Sequence, residues 1–189
     1  ENGEWEKYLH ELQHTGLLWL IRGDLPSLVY HLMPLNSRPR DLELPLRLRF
    51  LSDAAEPSLS LDRIKHYLDL FLERGDMEAA FAANAFAIFM IHNQGNDLTQ
   101  FAPWYDSLGE LLAGTLDVPA RFKAVLYTAK GLVELSGFFR LSAARESLAG
   151  ALSWAEAAGD AALTLVATAV MGATLIQLAD FKYLSMRIN

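Results

Sequence analysis

The sharpest chemical pattern in this 189-residue chain is His10-Glu11-Leu12-Gln13-His14. Residues four apart on a helix share a face, so both imidazoles could take one Zn²⁺, with Glu11 as the general base of a hydrolase. Such a centre needs a third protein ligand. The longer zinc-protease pattern places a glycine three residues after the second histidine and another histidine beyond it. Here Gly16 falls two after His14, and no histidine follows in register. His31, His66 and His92 lie in separate segments with no ligand spacing among them. A zinc hydrolase is therefore kept only as an alternative of a different class, and the leading reading assigns no catalytic, metal or cofactor residues.

Other chemistries are missing by residue type. The chain has no cysteine, hence no thiolate nucleophile and no disulfide framework. Neither a Gly-x-Ser-x-Gly elbow, a kinase set, a dinucleotide fingerprint nor a Gly-x4-Gly-Lys-Ser/Thr phosphate loop occurs. Arg22-Gly23-Asp24 and Arg74-Gly75-Asp76 have the letters of an adhesion tripeptide. They read better as a glycine that ends one helix and an aspartate that caps the next.

Charge narrows the partners. The formal net charge is −7, and phosphate backbones attract clustered Lys and Arg, so direct nucleic-acid binding is not expected. The one arginine-rich stretch, Arg38, Arg40, Arg47 and Arg49, is interrupted by Asp41 and Glu43 and reads as a solvated loop. Residues 161–179 carry no charge, but they are rich in Ala and Thr, with Gln177 inside and Asp160 and Asp180 at the ends. A helix buried among other helices fits that composition better than a membrane span. Without cysteines or a secretion signal, a cytoplasmic location is expected. The chain opens on Glu1-Asn2-Gly3-Glu4 and reads as a piece of a longer polypeptide.

The elements that must position these residues are helices. Apolar residues make up 52% of the chain and recur at three- and four-residue intervals almost throughout. Residues 44–51 alternate weakly enough to leave a minor strand candidate. Helices are expected over about 4–22, from Asp24 with Pro26 in its first turn, 44–53, 60–74 and 77–92. Others run from Asp97 to about 113, 119–136, 142–158 and 160–181. Ser60 should cap the helix whose apolar face includes Leu61, Ile64, Leu68 and Leu72, and Asp97 with Gln100 forms a capping-box-like pair. About nine helices joined by short turns imply antiparallel neighbours. The expected fold class is all-α, antiparallel helical hairpins stacked as a TPR-like α-solenoid, in a single domain over 1–189.

The best local repeat is Ala144-x3-Leu148-x2-Ala151-Leu152 followed by Gly159-Asp160, which has small residues where helices touch and a larger one filling the gap. This segment, with Arg22-Gly23-Asp24-Leu25-x2-Leu28-x3-Leu32-x-Pro34, resembles the TPR-like helical region of MalT-like regulators of the STAND class. The turn after Gly137 is longer than such a unit has. The resemblance implies a sensing and scaffolding region of an ATP-dependent bacterial transcriptional regulator, without its ATPase or DNA-binding module. Implied partners are a protein or small inducer in the concave groove and the other domains of the parent chain.

Aromatics thicken the middle of the sequence, and most must be core. Trp104, Tyr105, Arg121, Tyr127 and Arg140 are the candidates for a ligand or partner groove. A general TPR-like interaction scaffold outside transcription is the nearer alternative. The last helix, nearly devoid of a polar face, should have its outer side, Val170 included, covered by a further helix or by a second copy in a homodimer.

Overall fold

The computed structural model describes residues 2–37, 43–95, 97–114 and 118–188. Arg38, Arg40 and Asp41 of the arginine-rich stretch lie outside them. Among the described residues the protein is all-helical, with no strand. Nine α-helices follow in order: α1 (Asn2–Arg22), α2 (Leu25–Leu32), α3 (Leu46–Ala54), α4 (Leu61–Glu73), α5 (Met77–Gln94), α6 (Phe101–Gly114), α7 (Ala120–Leu132), α8 (Leu141–Ala157) and α9 (Ala161–Ile188). Short 3₁₀ turns at Met33–Ser37 and Leu98–Gln100 and a π-helical turn at Val133–Gly137 complete the set. The chain divides into two compact units, residues 1–86 and 87–189.

One turn is written three times. Gly23, Gly75 and Gly159 all sit at positive φ, 72°, 68° and 62°, where a side chain would be strained. The following aspartate N–H reaches back to a carbonyl five residues earlier: Asp24 to Trp19 at 2.9 Å, Asp76 to Phe71 at 2.9 Å, Asp160 to Ala155 at 3.1 Å. Each aspartate then caps the next helix, accepting from the N–H of Ser27, Ala79 or Leu163 at 3.2–3.3 Å. The glycine and aspartate N–H groups satisfy orphan carbonyls of one helix, and the aspartate carboxylate an orphan amide of the next. Ser60 caps α4 in the same way, through the Arg63 N–H at 3.3 Å.

In the first unit the core gathers on Phe50, whose ring lies 5.5 Å from both Tyr67 and Phe71 and 6.4 Å from Phe86. Residues 44–51 are not a strand. Pro45 precedes α3, and Leu46, Leu48, Phe50, Leu51 and Ala54 are buried at helical spacing. The alternation of Leu and Arg over 46–49 was incidental to a short helix with a wide buried face. The α4 stripe is also rotated from the expected one. Ile64, Tyr67, Leu68 and Phe71 are buried, while Leu61 is half-buried and Leu72 exposed, because the aromatics turn inward toward Phe50. Gly16 lets α1 approach α3, since a Cβ there would lie 2.6 Å from Leu51 Cδ1. Arg47 forks onto both carboxylate oxygens of Asp76 at 2.6 and 2.7 Å and reaches Glu78 at 3.4 Å. The carboxylate that caps α5 is thus tied to α3 by a bidentate pair.

The second unit holds the hairpin α7–α8, with α9 packed against both. Ala144, Leu148, Ala151 and Ala155 are fully buried, as the repeat pattern requires, and Leu152 is half-buried. Contact is closest at Gly131, where a Cβ would stand 2.6 Å from Leu148 Cγ and 3.3 Å from the Ala144 carbonyl oxygen. Gly150 likewise faces the Tyr127 ring, 3.2 Å from where its Cβ would be. Over residues 161–179, the part of α9 whose side chains are described, the buried stripe is Leu163, Ala167 and Thr174. Val170 is half-buried at the margin of that stripe and does not point outward; Leu165 and Ile176 do.

Candidate functional site

Beyond Leu132, α7 continues for one π-helical turn, closed by the Phe138 N–H to the Val133 carbonyl at 3.0 Å. A π-turn accommodates one extra residue in a helix, and such insertions recur at functional positions. Here it re-aims the chain into the sequence Gly137-Phe138-Phe139-Arg140 before α8 starts. Gly137 is required by packing: a Cβ would lie 2.9 Å from the buried Phe101 ring. Phe139 adopts φ +53°, the left-handed region that L-residues other than glycine avoid, and its side chain is 71% exposed. Strain at an exposed aromatic gains nothing in packing.

Under this corner lies Glu134, only 3% exposed. Its Oε1 accepts the Tyr105 hydroxyl at 2.7 Å and its Oε2 the Ser147 hydroxyl at 2.6 Å, while Lys130 Nζ stands 3.8 Å from Oε1. The Glu134 carbonyl accepts the Arg140 N–H at 2.7 Å. One residue therefore ties α6, the π-turn, the corner and α8 together. Tyr105 meets the Phe138 ring edge-on at 5.1 Å, and the Arg140 guanidinium carbon lies 5.1 Å from the centre of that same ring. The corner thus shows an exposed phenyl, an exposed guanidinium and a half-buried phenyl behind them.

Burial pushes the Tyr105 phenol up to about 12, and the neighbouring Glu134 carboxylate adds to it; Arg140 acts in the opposite sense. A phenol whose folded value exceeds its unfolded one stabilises the fold fully below the unfolded value. That contribution is lost as pH rises through the folded value. The second unit should therefore lose stability between about pH 10 and 12, and Tyr105→Phe should flatten that decline. Difference absorbance of phenolate alongside thermal melts reads both. Equal slopes for the two proteins would refute the assignment.

Chemically, this cluster is a clamp. Both carboxylate oxygens already accept hydroxyl protons, and Tyr105 keeps its proton through neutral pH. Of the five groove candidates, Tyr105 and Arg140 come together here. Trp104 is buried in the core, Tyr127 packs on Gly150, and Arg121 is half-buried in the first turn of α7. At about 1.5 Å per residue, Arg121 is on the order of 20 Å along the helix from Glu134. A shallow groove of about 510 Å³ at the α8–α9 turn is lined by Ala155, Glu156, Gly159, Asp160, Thr164 and Thr168 among others, and by none of the five. Sequence reasoning passed over Glu134, Ser147 and Phe139. A lone acid inside Gly131-Leu132-Val133-Glu134-Leu135 was the available signal, because an acid in an apolar run must find donors.

The His10–His14 pair lies on α1, with both imidazoles exposed and Leu12 turned into the core. Glu11 faces Lys7 at 3.9 Å, and His14 Nδ1 stands 4.0 Å from Glu78 Oε2. Among the described residues no group of three or more His, Cys, Asp or Glu side chains is arranged to hold a metal ion.

No family model, curated protein or solved structure matches this chain.

Proposed function

We propose that the chain is a non-catalytic, TPR-like helical-repeat module that binds a protein partner or small inducer, and that it belongs to a STAND-class bacterial transcriptional regulator. The observation that carries the binding role is Phe139, an exposed aromatic held at positive φ beside an exposed arginine. Exposed aromatics and arginines are the residue types that dominate binding energy at interfaces. Backbone strain of this kind persists where it serves contact rather than packing. The hairpin α7–α8, with small residues at its closest approach and a glycine–aspartate turn at its end, supports the repeat reading. The mechanism is conformational: a ligand favouring one arrangement of helices transmits that preference to the modules it adjoins.

Two measurements test this. Phe139→Gly relieves the backbone strain and should raise stability by about 1 kcal/mol in chemical denaturation. In the parent protein the same variant should impair the response to inducer or partner in a reporter assay. A variant that is stabilised and fully responsive would remove the corner from the binding role. Reading the flanking coding sequence separates regulator from general scaffold. A phosphate-binding loop on one side and a helix-turn-helix on the other are expected, and finding neither leaves the scaffold.

A further inference from the structure

From a different face of the second unit we infer that α9 is a self-association helix, pairing antiparallel with α9 of a second copy about a two-fold axis. Over residues 161–179 the buried stripe of α9 is Leu163, Ala167 and Thr174. At about 100° per residue, the line directly opposite is Leu165, Ala169, Gly172 and Ile176, spaced four, three and four. Leu165 is 71% and Ile176 65% exposed, and a Cβ on Gly172 would meet nothing within 4 Å. The order along the line is large, small, small, large. It is symmetric about the point between Val170 and Met171.

That symmetry selects the occupant. In an antiparallel two-fold pair each residue meets its mirror image about the axis, so the contact is self-complementary. Leu165 then faces Ile176 of the second copy, and Ala169 faces Gly172, which lets the backbones approach closely at the centre. A parallel pair would stack Leu165 on Leu165 and Ile176 on Ile176 and leave the small centre as a gap.

The face can also be dried at little cost. No charged residue occurs over residues 161–179. The flanking threonines have spent their hydroxyl protons on their own helix, Thr164 to the Asp160 carbonyl at 3.0 Å and Thr168 to that of Thr164 at 2.7 Å. Burying them therefore orphans no donor. The stretch Ala161–Ala179 is also long and apolar enough to cross a membrane by length and composition, with 17% of it buried. Its small and hydroxylated residues at the exposed centre suit helix contact better than lipid. A single helix pair lies at the small end of specific interfaces, so a reversible micromolar dimer is expected.

The absence of cysteine makes the register directly testable. Sedimentation equilibrium of the purified chain should show a monomer–dimer system, and Ala169→Glu, an exposed position, should weaken it at least ~100-fold by opposing two carboxylates at the axis. Mixing Leu165→Cys with Ile176→Cys protein should give cross-linked dimers with a short bis-maleimide, while neither variant cross-links alone. Their own copies would stand about 16 Å apart along the axis. Cross-linking of each single variant with itself would show parallel pairing and overturn the register. A strict monomer at the highest soluble concentration, or a monomer that floats with phosphatidylcholine vesicles, would overturn the dimer itself.

Discussion

Glu134→Ala is expected to destabilise the second unit by about 3–4 kcal/mol in urea denaturation. The substitution strips the acceptor from the Tyr105 and Ser147 hydroxyls at once and leaves a void among α6, α7 and α8. Each orphaned donor costs on the order of 1–3 kcal/mol, and the void adds to that. Glu134→Gln keeps one acceptor oxygen and should lose about half as much. The Arg140 N–H to the Glu134 carbonyl survives in both variants, because it belongs to the backbone. Hydrogen exchange at residues 138–140 therefore separates the two roles. Side-chain loss should lower global stability while the Arg140 amide stays more protected than its exposed neighbours. A loss below about 1 kcal/mol for Glu134→Ala would show that the carboxylate holds nothing together.

Gly131→Ala runs against helix propensity, which favours alanine over glycine by about 1 kcal/mol inside a helix. A Cβ at Gly131 would meet Leu148 Cγ at 2.6 Å and Cδ2 at 2.9 Å, with the Ala144 carbonyl oxygen at 3.3 Å blocking retreat. Forcing a methyl into a closed contact costs typically 1–3 kcal/mol, so a net loss of about 1–2 kcal/mol is expected. Gly109→Ala is the control: nothing lies within 4 Å of its Cβ, and that variant should gain about 0.5–1 kcal/mol. Adding Leu148→Ala to Gly131→Ala should recover part of the clash, giving a coupling energy between the two sites in a double-mutant cycle. If Gly131→Ala stabilises the protein as Gly109→Ala does, Leu148 yields freely and the α7–α8 contact is not a closed one.

What the sequence disclosed and what it hid divide along physical lines. Local rules were legible. The glycine–aspartate pairs and Ser60 announce themselves because capping is a matter of three or four adjacent residues. Asp97 does too, although it caps the 3₁₀ turn through the Thr99 N–H at 3.0 Å rather than forming a capping box with Gln100. The Ala144–Leu148–Ala151 pattern was legible because helical period maps spacing onto a face. The α3 segment was ambiguous because five apolar residues among nine satisfy both periods over so short a length. The site was hidden more deeply. Trp104 and Tyr105 are adjacent and alike in sequence, yet one is core and the other meets a buried carboxylate twenty-nine residues on. Nothing local distinguishes them, since the choice is made by which direction α6 presents to α7 and α8. Phe139 was equally opaque: two phenylalanines in a row give no hint that a π-turn will twist the second into solvent.

The three glycine–aspartate turns have a consequence for how such a chain can be edited by recombination. Between glycine and aspartate runs a seam: the glycine turns the chain out of one helix, and the aspartate closes that exit with its N–H and opens the next helix with its carboxylate. Joining any two such ends restores the same backbone geometry, because all three glycines share one conformation and each aspartate supplies the same closing N–H to the helix before it. The stretches from Asp24 to Gly75 and from Asp76 to Gly159 are therefore cassettes in the genetic sense. Duplication or shuffling at these seams adds or removes whole helices without stranding an uncapped end, and the grammar of the chain survives while its length changes.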